Sequence, residues 1–118
     1  MDVLNRKNQT YEWDPLKANK RFLIIVTEKC LSCTMPKLKF LAKKIKRATF
    51  LFVSFCYMEE FAKPLSKKTE VLFTEHNFKF KKKGAIISAD ILIVKIGKDG
   101  RIFYVDTLKN YIAQGEKK

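Results

Sequence analysis

Residues 21–27 (RFLIIVT) and 49–56 (TFLFVSFC) are two short, β-rich apolar runs, and the chain between them has helical periodicity. No other feature constrains the fold as tightly. A run that is apolar on both faces suits a central, buried strand. Between the runs, Leu38, Leu41, Ala42 and Ile45 fall at i, i+3, i+4 and i+7, one apolar stripe of a helix. The other face carries Lys37, Lys39, Lys43, Lys44, Lys46 and Arg47, and cations toward a helix C-terminus suit its dipole. Pro36 is expected in the first turn, where its missing N–H is tolerated. Two strands joined through a helix imply a parallel, right-handed unit.

The remaining segments extend this unit. Residues 91–96 (ILIVKI) and 101–105 (RIFYV) flank Gly97-Lys98-Asp99-Gly100, and Asp-Gly between β-branched runs signals a hairpin. Residues 71–73 read as a short strand inside a segment, 71–83, whose pattern favours no single element. Residues 57–68 read as a short helix broken at Pro64, and 108–113 as a closing helix. Residues 1–20 are polar and mixed, and are read as an N-terminal extension or cap around Trp13, with residues 21–118 as the domain. The expected architecture is an α/β sandwich, a central mixed sheet flanked by helices, in the order β-α-β-(α)-β-β-α. With 118 residues, 47% of them apolar and ten Phe, the chain can build a core without a disulfide scaffold. A domain of this size buries roughly two-thirds of its unfolded surface.

Cysteine usage points to chemistry rather than to stapling. Cys30 and Cys33 form a C-x-x-C and Cys56 stands alone. A close pair beside a βα pattern reads as redox or metal chemistry. Cys30 falls near the helix N-cap and Cys33 one turn in. Free N–H groups and the positive dipole end there stabilise a thiolate against its usual pKa of ~8.5. From Lys29 to Met58 there are seven basic residues and no acid. A three-residue step brings the second sulfur round to the first, so the pair can close a small ring. Attack by one thiolate on a substrate disulfide, followed by resolution by the other, is thiol–disulfide exchange, and it needs no bound cofactor. The exposed member of such pairs is usually the N-terminal one, which makes Cys30 the nucleophile and Cys33 the resolving thiol. Half of a zinc site has the same spacing, but a structural site needs four ligands and only Cys56 and His76 remain to complete one.

The net charge of +13, from 25 Lys and Arg against 12 Asp and Glu, suits acidic partners, nucleic acid or an anionic surface. The densest basic run is Lys79, Lys81, Lys82 and Lys83 with Phe78 and Phe80 interleaved. Such a patch could hold phosphates, with Phe stacking on bases; the plainer reading is a solvated loop. Cys56 reads as a small core residue and His76 as solvated. Glu28 and Asp90 could lie near the dithiol, where a buried carboxylate could relay protons to the resolving thiol. The longest apolar run is five residues, far short of the ~20 of a membrane span, and the first residues carry no apolar signal region. As written, the chain reads as cytoplasmic. A chain from which a signal or lipid anchor had been cut, periplasmic or membrane-anchored, would read the same.

Residues 22–41, FLIIVTEKCLSCTMPKLKFL, resemble the strand–CxxC–helix of thioredoxin-like proteins, nearest the TlpA/ResA-type thiol–disulfide reductases. Residues 91–102, ILIVKIGKDGRI, resemble the strand–turn–strand after that family's cis-proline. The resemblance covers about residues 21–113 and implies a thioredoxin-like sandwich acting on protein thiols or disulfides. The chain departs from the family at Lys29, where Trp is usual, and at Leu31-Ser32, where a proline-containing pair is common. Pro36 lies closer to the second Cys than the family's helix proline. The cis-proline aligns with Ile91, preceded by Asp90, which makes Asp90 and Ile91 the substrate-seating loop. A cis bond before a non-proline residue costs ~3 kcal/mol, so a trans peptide is expected there. Three functions stand open on this reading: a thiol–disulfide oxidoreductase, a non-catalytic thioredoxin-like adaptor, and a basic binder of nucleic acid or anionic surfaces.

Overall fold

The computed structural model describes residues 2–5, 9–14, 20–27, 31–53, 60, 62–63, 65, 69–75, 80–82, 85–87 and 90–109. Among them the elements are β1 (Asp2–Leu4), β2 (Thr10–Glu12), β3 (Phe22–Val26), α1 (Leu31–Lys44), β4 (Ala48–Val53), β5 (Glu70–Thr74), β6 (Phe80–Lys82), β7 (Ala85–Ile87), β8 (Ile91–Ile96) and β9 (Ile102–Thr107). Seven strands form one sheet in the order β2-β1-β5-β4-β3-β8-β9, and β6 pairs with β7 in a separate hairpin.

The two apolar runs became β3 and β4. They pair in parallel through α1, with Ile24 opposite Phe50, and β5 extends the parallel set with Phe73 opposite Phe52. On the other side of β3, β8 runs antiparallel, with Ile93 opposite Ile24 and Ile91 opposite Val26. β3 is apolar at every position, and its neighbours nearly so, because residues on both faces of the sheet are buried. Along β3, Ile24 and Val26 join the core under α1, while Leu23 and Ile25 join a second core on the reverse face. The helix supplies Leu38, Leu41 and Ile45 to the first of these, and its stripe is as the periodicity requires. Full burial of each such side chain stabilises by roughly 1.5–3 kcal/mol. Phe52 and Phe73 stack beneath it with ring centroids 5.5 Å apart. Lys37, Lys39, Lys43 and Lys44 are exposed on the opposite face.

The β8–β9 hairpin closes as the Gly97–Gly100 signal requires. The Gly100 N–H donates to the Gly97 carbonyl at 3.0 Å, and Gly100 has φ 82°, open to a residue without Cβ. Three features depart from expectation, and a fourth, at Asp106, had no sequence signal. Pro36 lies in the second turn of α1, not the first, so it withholds a donor from the helix ladder there. Residues 2–4 and 10–12 are strands of the main sheet: β1 pairs with β5, and Val3 is 2% exposed. Residues 80–82 of the basic run are a strand rather than a loop, with Lys81 opposite Ile86 and Lys82 opposite Ala85. Asp106, within the second strand of the hairpin, is a buried carboxylate whose Oδ1 accepts the Thr107 N–H at 2.8 Å. Of the two expected short helices, Glu60, Ala62, Leu108 and Lys109 are helical, and most of the rest lies outside the described residues. No helix among the described residues is long and apolar enough to cross a membrane.

Candidate redox site

The C-terminal end of β3, which α1 follows in the chain, and the start of β8 meet at one end of the sheet. Register alone brings them together: Val26, the last residue of β3, stands opposite Ile91, the first of β8. Beyond the ladder, the Thr27 N–H donates to the Asp90 carbonyl at 2.9 Å, and the Thr27 hydroxyl donates to the same oxygen at 3.4 Å. Thr27 is three residues before Cys30, so the Asp90–Ile91 segment is tied to the strand end that feeds the dithiol. No cis peptide bond occurs among the described residues, so Asp90–Ile91 is trans. The Asp90 side chain is exposed, which removes it as a buried proton relay; Glu28 lies outside the described residues.

Cys33 is the third residue of α1. It is exposed, and it is disulfide-bonded; the other two cysteines, Cys30 and Cys56, lie outside the described residues. The next residue, Thr34, is 1% exposed, so the first turn of the helix is buried on that side. A sulfur in this turn sits among N–H groups that have no intrahelical acceptor, at the positive end of the helix. No acidic residue occupies that first turn.

The helix places further side chains in line with this sulfur. Lys37, Phe40 and Lys44 follow Cys33 at i+4, i+7 and i+11, along one exposed face. Phe40 is a large apolar residue left 44% exposed, and the Lys44 Nζ sits 5.4 Å from its ring centroid, a cation–π contact. The Lys-rich face was evident in the sequence, but Phe40 was not singled out; its signal was a phenylalanine standing off the apolar stripe. In the other patch, Lys81 and Lys82 lie in β6, while Lys79, Lys83, Phe78 and His76 lie outside the described residues.

No family model and no curated protein matches the chain. Solved structures do. The exposed lipoprotein thioredoxin of Streptococcus pneumoniae superposes with a TM-score of 0.54 over 99% of this chain and 97% of its own, at 15% identity. A peroxiredoxin-like protein of Aquifex aeolicus gives 0.53 over 98% of this chain and 81% of its own, at 14% identity. A thiol peroxidase of Chromobacterium violaceum gives 0.52 over 98% and 83%, at 9% identity. These matches take in the N-terminal strands as well as the βαβ unit. The chain has the thioredoxin-like fold, in a sequence far diverged from these examples of it.

Proposed function

We propose that the protein is a thiol–disulfide oxidoreductase acting on protein disulfides through Cys30 and Cys33. The observation that carries this reading is the place of Cys33: an exposed sulfur, already in a disulfide, in the first turn of the helix that follows the central strand of a thioredoxin-like sheet. The Cys30 thiolate attacks one sulfur of the substrate disulfide. A mixed disulfide forms, and the other substrate sulfur leaves as a thiolate that takes a proton from water. The Cys33 thiolate then attacks the Cys30 sulfur, closes the Cys30–Cys33 bond and releases the second substrate thiol. Two electrons pass to the substrate, and an external dithiol returns them; run in reverse, the same steps oxidise a substrate. The basic, Phe40-bearing face in line with Cys33 favours a partner that presents its disulfide beside acidic and apolar residues.

A redox titration in glutathione buffers, read by alkylation mass shift, tests this. A reversible two-electron transition between roughly −120 and −270 mV is expected. It should survive Cys56→Ser and vanish in Cys30→Ser. Absence of a Cys30–Cys33 disulfide at every poise would overturn the reading. It would favour the second one, a thioredoxin-like adaptor without turnover, whose supporting observation is the trans Asp90–Ile91 peptide at the substrate-seating position.

A further inference from the structure

The outer face of α1 carries charge that the chain around it does not balance. Lys37, Lys39, Lys43 and Lys44 are all exposed, the helix contains no Asp or Glu, and no acid occurs between Lys29 and Met58. Among the described residues, none of these four lysines is held in an ion pair. Lys39 and Lys43 stand at i, i+4, a spacing at which like charges repel across the helix surface. Carboxylates brought to this face from another chain relieve that repulsion.

One line along the face has a regular pattern. Cys33, Lys37, Phe40 and Lys44 fall within about 60° of one another around the helix, and at ~1.5 Å per residue the two lysines bracket Phe40 by ~4.5 Å and ~6 Å along the axis. Phe40 is 44% exposed, and the Lys44 Nζ is 5.4 Å from its ring centroid, so ring and cation open outward together. A single exposed Phe is ordinary on a protein surface. This one stands between two cations, on the same line as an exposed, disulfide-forming sulfur. An extended segment laid along the line meets it at alternate residues. Residues i and i+2 of a strand point to one side and lie ~6.6 Å apart, close to the ~6 Å steps from Cys33 to Lys37 and from Phe40 to Lys44.

We infer that α1 docks an extended, acidic segment of the partner protein, in which a cysteine, an acidic, an apolar and a second acidic residue stand at alternate positions. The two carboxylates meet Lys37 and Lys44, and the apolar side chain lies on Phe40. The segment's cysteine falls at the Cys33 end. That one position rests on the redox reading; the contacts to Lys37, Phe40 and Lys44 do not. An anionic bilayer fits the face less well. An interfacial helix sinks an apolar face below the headgroups, and Leu38, Leu41 and Ile45 of α1 are already buried in the core.

The test is a fluorescence-anisotropy titration of the full chain against a labelled, cysteine-free peptide with Ser, Glu, Leu and Glu at alternate positions. It is run at about 50 mM NaCl, where exposed charges are only partly screened. Saturable binding is expected, weakened at least roughly threefold by Ser in place of the peptide's Leu, and equally by Phe40→Ala. Lys37→Gln with Lys44→Gln should weaken it roughly three- to tenfold, the loss of two exposed ion pairs. Lys39→Gln with Lys43→Gln removes the same charge off the line and should cost under about twofold. Equal losses in the two lysine variants, or full affinity for the peptide without Leu, would overturn the inference. So would binding of an oligothymidylate or of phosphatidylserine vesicles that depends on Phe40 more than peptide binding does, which would assign the face to nucleic acid or to a membrane. Exchange of the unaltered chain with hydroxyethyl disulfide, too small to span the face, reads the redox chemistry alone. Peptide binding without that exchange would sink the redox reading and keep the docking face; exchange without peptide binding would do the reverse.

Discussion

Glu70 joins two donors from distant parts of the chain. The Trp13 Nε1–H and the Thr49 hydroxyl both donate to its Oε1, and Thr49 is fully buried. Removing the acceptor strands that hydroxyl and loosens the indole from the sheet. Glu70→Ala is therefore expected to lower the unfolding free energy by about 1–3 kcal/mol in urea titrations followed by Trp13 fluorescence, the cost of leaving buried donors unmade. Glu70→Gln keeps an acceptor oxygen and should cost less; equal losses would contradict this account. Arg47, at φ 59° just past α1, behaves oppositely. Relief of the left-handed strain, against the added unfolded-state entropy of glycine, should make Arg47→Gly neutral or stabilising by up to about 1 kcal/mol. A clear drop in melting temperature would show that the arginine side chain holds the fold together. Neither role was legible in the sequence. Glu70 sat at the edge of an ambiguous segment, and a residue's φ depends on where its helix stops.

At the scale of elements, what could be read from sequence was whatever local periodicity determines. The β3–α1–β4 unit and the β8–β9 hairpin follow from apolar runs, one helical stripe and a Gly-bearing turn, all local signals. Leu41 and Phe40 are neighbours on different faces of α1, fully buried and 44% exposed respectively. Leu41→Ala is expected to cost about 2–5 kcal/mol, as for other large-to-small core changes. Phe40→Ala should stay within about 0.5 kcal/mol, and similar costs for the two would contradict the stripe. The N-terminal strands escaped local reading because three-residue strands carry too short a pattern; β1 is defined by its place beside β5. The hairpin of β6 and β7 escaped because its lysine-rich strand has no alternation. Deleting residues 1–14 removes Val3 from the second core and Trp13 from Glu70, so the shortened chain should melt well below the full one. An unchanged melting temperature would return that segment to the status of an extension.

For the whole molecule, the excess of positive charge and the place of Cys33 at the start of α1 bear on the behaviour. A net charge of +13 repels itself in the compact state. The melting temperature should rise between about 10 mM and about 150 mM NaCl as screening shortens the Debye length; a fall would mean that net attraction between charges holds the fold. The pole that carries Cys33 was legible from sequence, because C-x-x-C between a strand and a helix marks it directly. What periodicity could not supply was the exposure of Cys33 or the alignment of Phe40 with it, since each depends on how segments meet. The most direct measurement of the central claim is trapping of the mixed disulfide. A model disulfide substrate is mixed with reduced Cys33→Ser and reduced Cys30→Ser, quenched in acid and weighed by intact-mass spectrometry. Cys33→Ser, with its nucleophile intact and its resolving thiol gone, should accumulate the protein–substrate disulfide on Cys30, while Cys30→Ser should form little. No adduct on either variant, or equal adduct on both, would contradict the account.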